Sequence, residues 1–193
     1  MRLRLGLLST VALPLMLAVP ALAQQPHMAN PNPNAAPAHQ LSRADLNFVK
    51  EAAIGGMFEV ETGKIAGQNT QDPQAKDFGA RMVQDHSKAD ATLTAIATGK
   101  GVQVPKELDR KHALERDRLA RLHGAQFDRE YMRLMVEEHD MAVKVFQKAA
   151  QTAHDPDIKQ FAQQTLSMIQ DHDRVAHNIM QSLTAVGSSR PRQ

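Results

Sequence analysis

Four long amphipathic segments, joined by two short connections and one long one, constrain the fold of this chain more than any other feature of its sequence. Within each segment, apolar residues recur at the three- and four-residue spacing that places them along one face of an α-helix. A segment of about 25 residues corresponds to a helix of about 40 Å. The predicted helices span residues 43–68, 73–98, 126–153 and 156–183.

Residues with helix-capping side chains mark the starts of three of these segments. Ser42, Asp72 and Asp155 each precede a segment, and a side-chain oxygen at that position accepts a hydrogen bond from the first helical turn. Asp45 lies three residues after Ser42, so we expect it to complete a variant of the capping box. Gly99 is expected to end the second helix.

The lengths of the connections predict how the helices are arranged. Residues 69–72 join the first pair and residues 154–155 join the second, so the members of each pair should be antiparallel neighbours. The intervening residues, 100–125, are numerous enough to travel back along the bundle, and they contain a short amphipathic segment at 110–122. The sequence therefore predicts an all-α fold, a ferritin-like up-down-down-up four-helix bundle whose long crossover carries a short extra helix.

The first 23 residues have the pattern of a secretory signal peptide. Arg2 and Arg4 precede an apolar run at 5–19, and residues 21–23 form a small-x-small cleavage sequence, so we expect cleavage before Gln24. The apolar run is short for a membrane-spanning helix, which makes an uncleaved anchor the less favoured alternative. The chain has no cysteine, which argues against a lipid-anchored form. We expect a periplasmic protein, with secretion or outer-membrane association as the alternative.

The rest of the chain divides into a linker, a bundle and a tail. Residues 24–41 are rich in Pro, Asn and Ala and are predicted to be a disordered linker. Residues 42–185 form the predicted bundle, and residues 186–193 a disordered tail. Removing the signal peptide leaves equal numbers of basic and acidic residues, which argues against a nucleic-acid partner. No transmembrane segment is expected in the mature chain, and a protein partner in the cell envelope is an open alternative.

A five-residue pattern that ends in histidine recurs in three of the four long helices. Its members are methionine, a β-branched residue, Gln or Glu, an acid and His, and the copies lie at 82–86, 135–139 and 168–172. In each helix the histidine replaces an apolar residue on the core-facing stripe. Counting residues from the helix ends places all three within about one turn of the same level. The sequence therefore predicts that His86, His139 and His172 converge at the middle of the bundle.

The first helix places two glycines and a carboxylate near this level. Gly55 and Gly56 are predicted to make room for bulky neighbours such as imidazole rings, and Glu59 is the carboxylate nearest the expected cluster. Imidazoles together with a carboxylate are typical of transition-metal sites. His86, His139 and His172, with Glu59 as a fourth ligand, therefore form a candidate site for copper, zinc or iron.

The other recurring residues of the pattern are its methionines and the acids that precede the histidines. The thioethers of Met82, Met135 and Met168 precede the histidines by one turn and would favour copper(I) as ligands, or they fill the core. The acids before the histidines are expected to orient neighbouring imidazoles as outer partners of the site. These acids are Asp85, Glu138 and Asp171.

Several stretches of the chain resemble a known family. They are residues 55–60, 82–86, 104–108, 127–131, 135–139 and the region around His172. In combination they resemble DUF4142, a bacterial family of unknown function that is assigned to the ferritin-like superfamily and often described as outer-membrane proteins. The resemblance covers nearly the whole mature domain and implies the fold, but it implies no particular activity.

The sequence departs from the iron-binding members of the ferritin-like superfamily. Those enzymes carry Glu-x-x-His on two helices, whereas the residues three before each histidine are Val83, Val136 and Ile169. This departure argues against a di-iron carboxylate centre. No nucleophile motif, phosphate loop or paired-carboxylate pattern favours another enzyme class. Two hypotheses therefore stand: a metal-binding or metal-buffering bundle, and a non-catalytic envelope or stress-associated bundle whose buried His–acid layer is structural or pH-responsive.

Overall fold

The computed structural model describes residues 41–188, and the regular secondary structure of this part is entirely α-helical. The predicted signal peptide, residues 24–40 of the linker and residues 189–193 of the tail lie outside the described residues. No helix among the described residues is long and apolar enough to cross a membrane. The helices are α1 (Arg43–Asn69), α2 (Pro73–Gly99), α3 (Arg110–Leu119), α4 (Gly124–Thr152) and α5 (Pro156–Ser188).

The helices begin and end close to the predicted positions, with differences at three of them. α3 ends at Leu119 rather than at residue 122, and α4 begins at Gly124, two residues early. Gly124 has a φ of 55°, a left-handed conformation that glycine adopts without strain. α5 continues to Ser188, so its last turn occupies residues 186–188 that were predicted to belong to the tail.

Side-chain caps start the helices as expected. The Ser42 hydroxyl accepts a hydrogen bond from the Asp45 amide at 3.1 Å, and Asp72 and Asp155 accept equivalent bonds in the first turns of α2 and α5. The capping-box prediction for Asp45 is wrong. Its carboxylate accepts hydrogen bonds from the amides of His154 and Asp155, both at 3.2 Å, and so fastens the start of α1 to the α4–α5 turn.

The long helices form two antiparallel hairpins. In the α1–α2 hairpin, a Cβ on Gly63 would lie 2.6 Å from the carbonyl oxygen of Gly79, so the two backbones approach closely at this point. In the α4–α5 hairpin, the rings of Phe146 and Phe161 lie 6.0 Å apart and those of His139 and His172 lie 5.5 Å apart. Residue numbers rise along one helix as they fall along its neighbour, as the short connections predict.

The crossover helix α3 packs on α1 and α4. An ion pair between Arg116 and Glu61 at 2.7 Å joins α3 to α1, and one between Lys111 and Glu138 at 3.2 Å joins α3 to α4. The α3 helix therefore lies over the junction between the two hairpins.

A layer of buried polar residues divides the core into two apolar clusters. One cluster contains Phe58, Met82, Tyr131 and Met135, and the other contains Phe48, Leu93, Phe146, Phe161 and Ile169. Along α2, α4 and α5 the histidine of the five-residue pattern lies between residues of the two clusters. The packing of the bundle therefore sets these histidines in an apolar interior, where unpaired polar atoms carry a desolvation cost.

Candidate metal centre

The three pattern histidines meet in the interior of the bundle. His86 comes from α2, His139 from α4 and His172 from α5, and their exposed fractions are 4%, 0% and 0%. One ring nitrogen from each lies within 4.8 Å of those of the other two. The ring centroids are 5.3 to 5.9 Å apart. The structure therefore places together the three imidazoles that the sequence pattern selects.

The carbonyl of Met135 orients the ring of His139. His139 Nδ1 lies 2.8 Å from this oxygen, one turn earlier on α4. A carbonyl oxygen only accepts, so Nδ1 carries the proton and Nε2 of a neutral ring has a free lone pair. Nε2 is buried, has no hydrogen-bond partner in the described part of the chain, and lies 3.3 Å from Oε1 of Glu59.

Carboxylates orient the other two rings. His86 Nδ1 lies 2.9 Å from Oε2 of Glu59, and His172 Nε2 lies 2.9 Å from Oδ2 of Asp85. In each neutral ring the bonded nitrogen donates to the carboxylate, which leaves the other nitrogen as an acceptor. Those other nitrogens, His86 Nε2 and His172 Nδ1, are buried and have no hydrogen-bond partner among the residues that the structure describes.

Each ring is therefore held at one nitrogen and unpartnered at the other. Leaving a buried polar atom without a partner costs about 1–3 kcal/mol. Metal-ligating histidines have this same arrangement, in which a carboxylate or carbonyl fixes the outer nitrogen and the inner lone pair binds the ion. Three neutral imidazoles suit zinc, copper and iron.

The family of the chain follows from its sequence. Residues 30–179 match the domain of unknown function DUF4142, which is well over half of the chain. The chain belongs to the DUF4142 family. No curated protein matches it.

Two solved structures resemble this DUF4142 protein in fold. A DUF305 fragment from Deinococcus radiodurans superposes with a TM-score of 0.65 at 15% identity, covering 74% of this chain and 98% of the fragment. A DUF305 protein from Streptomyces coelicolor superposes with a TM-score of 0.62 at 17% identity, covering 73% of this chain and 92% of that one. At such low identity the likeness concerns the helical fold alone.

The neighbouring histidines of this DUF4142 protein determine the ionisation state of Glu59. Burial by itself would raise the pKa of Glu59, but the charges of His86 and His139 and the hydrogen bond from His86 outweigh it and lower this pKa to about 2. Glu59 is thus a carboxylate at neutral pH. It supplies a buried negative charge beside the unpartnered nitrogens.

The two carboxylate-bound histidines titrate differently. Burial lowers the pKa of His172 to about 4 despite its bond to Asp85, and the neighbouring His86 and His139 act in the same direction. Burial also acts to lower the pKa of His86, but the adjacent Glu59 outweighs it and raises that pKa. His172 is therefore neutral at pH 7, as a metal ligand has to be.

The predicted outer acids occupy different positions. Asp85 bonds to His172 and is itself held by Arg81 at 3.2 Å, and Arg81 pairs with Asp171 at 2.7 Å. Among the described residues, Asp171 is therefore connected to the site through Arg81 and Asp85. Glu138 is bonded to α3, through Lys111, and does not contact the three histidines. Its prediction as an orienting acid of this cluster is wrong because the rotation of α4 turns Glu138 toward α3, where it also lies 3.5 Å from His112.

The three methionines divide between the two apolar clusters. Met82 and Met135 are fully buried in the cluster that contains Phe58, whereas Met168 is partly buried in the cluster that contains Phe161. This placement is the one expected of side chains that fill the core.

Asp90 is the site residue that the sequence reasoning missed. A Cβ on Gly56 would collide with its carboxylate, whereas a Cβ on Gly55 would meet nothing within 4 Å. The prediction that these glycines make room for imidazoles is therefore wrong, because Gly56 makes room for Asp90. Burial raises the pKa of Asp90 to about 7, His86 opposes this rise and Glu59 adds to it. Its spacing of one helical turn from His86 was the available signal.

Proposed function

We propose that this DUF4142 protein is an exported helical bundle that binds or buffers a transition metal, copper, zinc or iron, through His86, His139 and His172. One observation carries the proposal: three buried ring nitrogens from three helices have no hydrogen-bond partner among residues 41–188, while the other nitrogen of each ring faces an acceptor. An ion would accept these lone pairs and remove their desolvation cost. Catalysis is not required for this function.

Glu59 is proposed to assist the ion in two ways. Its Oε2 orients His86 at 2.9 Å, and its Oε1 is 3.3 Å from the unpartnered Nε2 of His139. A carboxylate there offsets the charge of a cation and is available as a fourth ligand.

The ferritin-like up-down-down-up arrangement is part of the proposal. Contacts between the hairpins support it: Phe48 of α1 packs on Phe146 of α4 at 5.0 Å, and Thr70 near the far end of α1 bonds to Asp128 near the start of α4. These contacts indicate that α4 is antiparallel to α1. Because α2 is also antiparallel to α1, α4 runs parallel to α2. In this arrangement α2, α4 and α5 bring His86, His139 and His172 to one level.

Export to the periplasm is proposed from the signal-peptide pattern of residues 1–23, with cleavage before Gln24. Secretion or association with the outer membrane is the alternative destination.

Metal analysis of the purified protein tests the function directly. The protein is purified from the periplasm without a His-tag or chelator, and its metal content is measured by mass spectrometry. We expect nearly one ion per chain in the wild type and a loss of that ion in both His86→Ala and His139→Ala. His154→Ala is the matched control, because His154 is an exposed histidine in the α4–α5 turn. Wild-type protein without metal, whose melting does not respond to copper, zinc or iron, would overturn the proposal.

The second candidate function is a structural His–acid layer in an envelope or stress-associated bundle that binds protein partners. It is favoured by the Glu59–His86 and Asp85–His172 bonds, which tie α1 to α2 and α2 to α5 without any metal. Such a network can fix how the helices align. This alternative predicts that His139→Leu leaves the function intact, whereas the metal proposal predicts that the same change removes the ion.

A further inference from the structure

A cavity of about 500 Å³ lies beside the histidine layer. It runs between α1 and α4 and reaches α2 and α5 in the interior. Among the three clustered histidines only His86 lines it. Phe78 packs against His139 and His172 at ring distances of 6.0 and 6.2 Å and does not line the cavity. The histidine layer therefore meets the cavity at His86.

The walls of this cavity are mainly apolar. They include Leu93, Phe146, Phe161 and Ile169, all of them at most 6% exposed. Cavities of this size and character are typical sites for small molecules. An elongated apolar group placed here would be removed from water on several sides, and that burial is favourable.

Gly55 leaves the cavity wall open. It lies in the middle of α1, lines the cavity, and a Cβ at this position would meet nothing within 4 Å. Glycine in a helix interior is less favourable than alanine. No described residue lies close enough to Gly55 to exclude a larger side chain at this position. The empty position is instead part of the space that the cavity offers.

The polar lining of the cavity has acceptors beside His86 and cations elsewhere, of which Lys111 and His112 on α3 are paired with Glu138 and Asp109 and Lys50 on α1 is exposed. Asp90 lies opposite Gly56, and no described residue donates a hydrogen bond to its carboxylate or pairs with it. Beside it are the Glu59 carboxylate and His86, whose Nε2 is unpartnered. Asp90 and Nε2 of His86 therefore have no donor among the described residues, which fits a ligand whose head group donates.

We propose that this cavity binds a small elongated apolar molecule whose one end, an amine or a hydroxyl, donates a hydrogen bond to Asp90. The apolar chain lies between α1 and α4 against Phe146 and Phe161, and the head group lies next to His86. The site is separate from the proposed metal function, because Asp90 is not one of the three clustered histidines and the cavity exists without an ion.

Three ten-carbon probes test the proposal on metal-free protein. Decylamine, decanol and decanoate are titrated below their aggregation concentrations and their binding is measured by calorimetry. We expect the amine and the alcohol to bind at least about tenfold more tightly than the acid, because a carboxylate donates no hydrogen bond to Asp90 and is repelled by the buried charge of Glu59. The stronger of the two donors identifies the head group. Absence of binding for all three, or equal binding of all three, overturns the proposal.

Two pairs of variants locate the bound probe. Gly55→Phe should weaken binding of the amine and the alcohol at least about tenfold by filling the cavity. Gly67→Phe adds the same side chain at an exposed open position of α1 and should leave binding unchanged. Asp90→Asn should reduce the preference for the amine over the acid without removing the binding of the chain, and exposed Asp77→Asn should not. Unchanged binding in Gly55→Phe, with normal helix content and melting, would place the ligand elsewhere and overturn the proposal.

Discussion

Oε2 of Glu59 lies 2.9 Å from Nδ1 of His86, and this buried contact joins α1 to α2 at the level where the three histidines meet. The pair fixes which nitrogen of His86 remains free.

Glu59→Gln should weaken metal binding about 10- to 100-fold, the usual effect of losing a partner that orients a ligand. The amide keeps the shape of the side chain but removes the negative charge and offers one acceptor instead of two. Competition with a chelator of known affinity measures the change. Glu61→Gln is the control, because Glu61 is partly exposed and pairs with Arg116. Equal affinities in the wild type and Glu59→Gln would show that Glu59 does not act on the ion.

Gly63→Ala and Gly67→Ala should change the free energy of unfolding in opposite directions. A Cβ on Gly63 would lie 2.6 Å from the backbone oxygen of Gly79, which cannot move without shifting α2, so we expect a loss of about 1–3 kcal/mol. Gly67 faces open space, and alanine there should add up to about 1 kcal/mol through helix propensity. Urea unfolding measures both values. A stabilising Gly63→Ala would contradict the close approach of α1 and α2.

Asp155 should make the stability of the bundle depend on acid pH. Burial acts to raise its pKa, but the hydrogen bonds from Lys100 and from the first turn of α5 outweigh it and lower this pKa below the usual value. A carboxyl whose pKa is lower in the folded state stabilises the fold above its unfolded pKa, and this contribution is lost as the pH falls through the folded pKa.

Asp155→Asn should therefore cost about 1 kcal/mol at pH 7 and less near pH 3, since asparagine still caps the helix but does not pair with Lys100. Asp157 also bonds to Lys100 but is 59% exposed, so Asp157→Asn should cost less than about 0.5 kcal/mol at either pH. Urea unfolding at the two pH values tests this. A cost for Asp155→Asn that is the same at both would exclude the charge as its source.

Tyr131→Phe should leave the bundle as stable as the wild type or make it more stable by up to about 1 kcal/mol. The Tyr131 hydroxyl is fully buried and has no hydrogen-bond partner in the described part of the chain, so removing it removes a desolvation cost. Phe78 and Phe127 pack against the ring, which the substitution keeps. Thermal melting compares the two proteins. A loss of more than about 1 kcal/mol would mean that the hydroxyl has a partner, such as a buried water.

Local signals in the sequence were sufficient to predict where the helices lie and that the three histidines lie at the same level of the bundle. Apolar periodicity and caps such as Asp72 act within a few residues, so the four long helices were predictable nearly to their ends. Short connections leave a hairpin little freedom in how its helices align, so counting residues along each helix placed His86, His139 and His172 together. The same counting brought Glu59 to within one turn of them.

Only the tertiary structure decided which partner each polar side chain takes. Asp85 and Glu138 occupy equivalent positions of the repeated pattern, yet Asp85 bonds to His172 and Glu138 bonds to α3. Gly56 makes room for Asp90, a residue that no pattern had selected. The reason is geometric: periodicity states how far along a helix a residue lies, whereas its partner depends on the rotation of that helix against its neighbours. That rotation is set by packing between segments far apart in the chain.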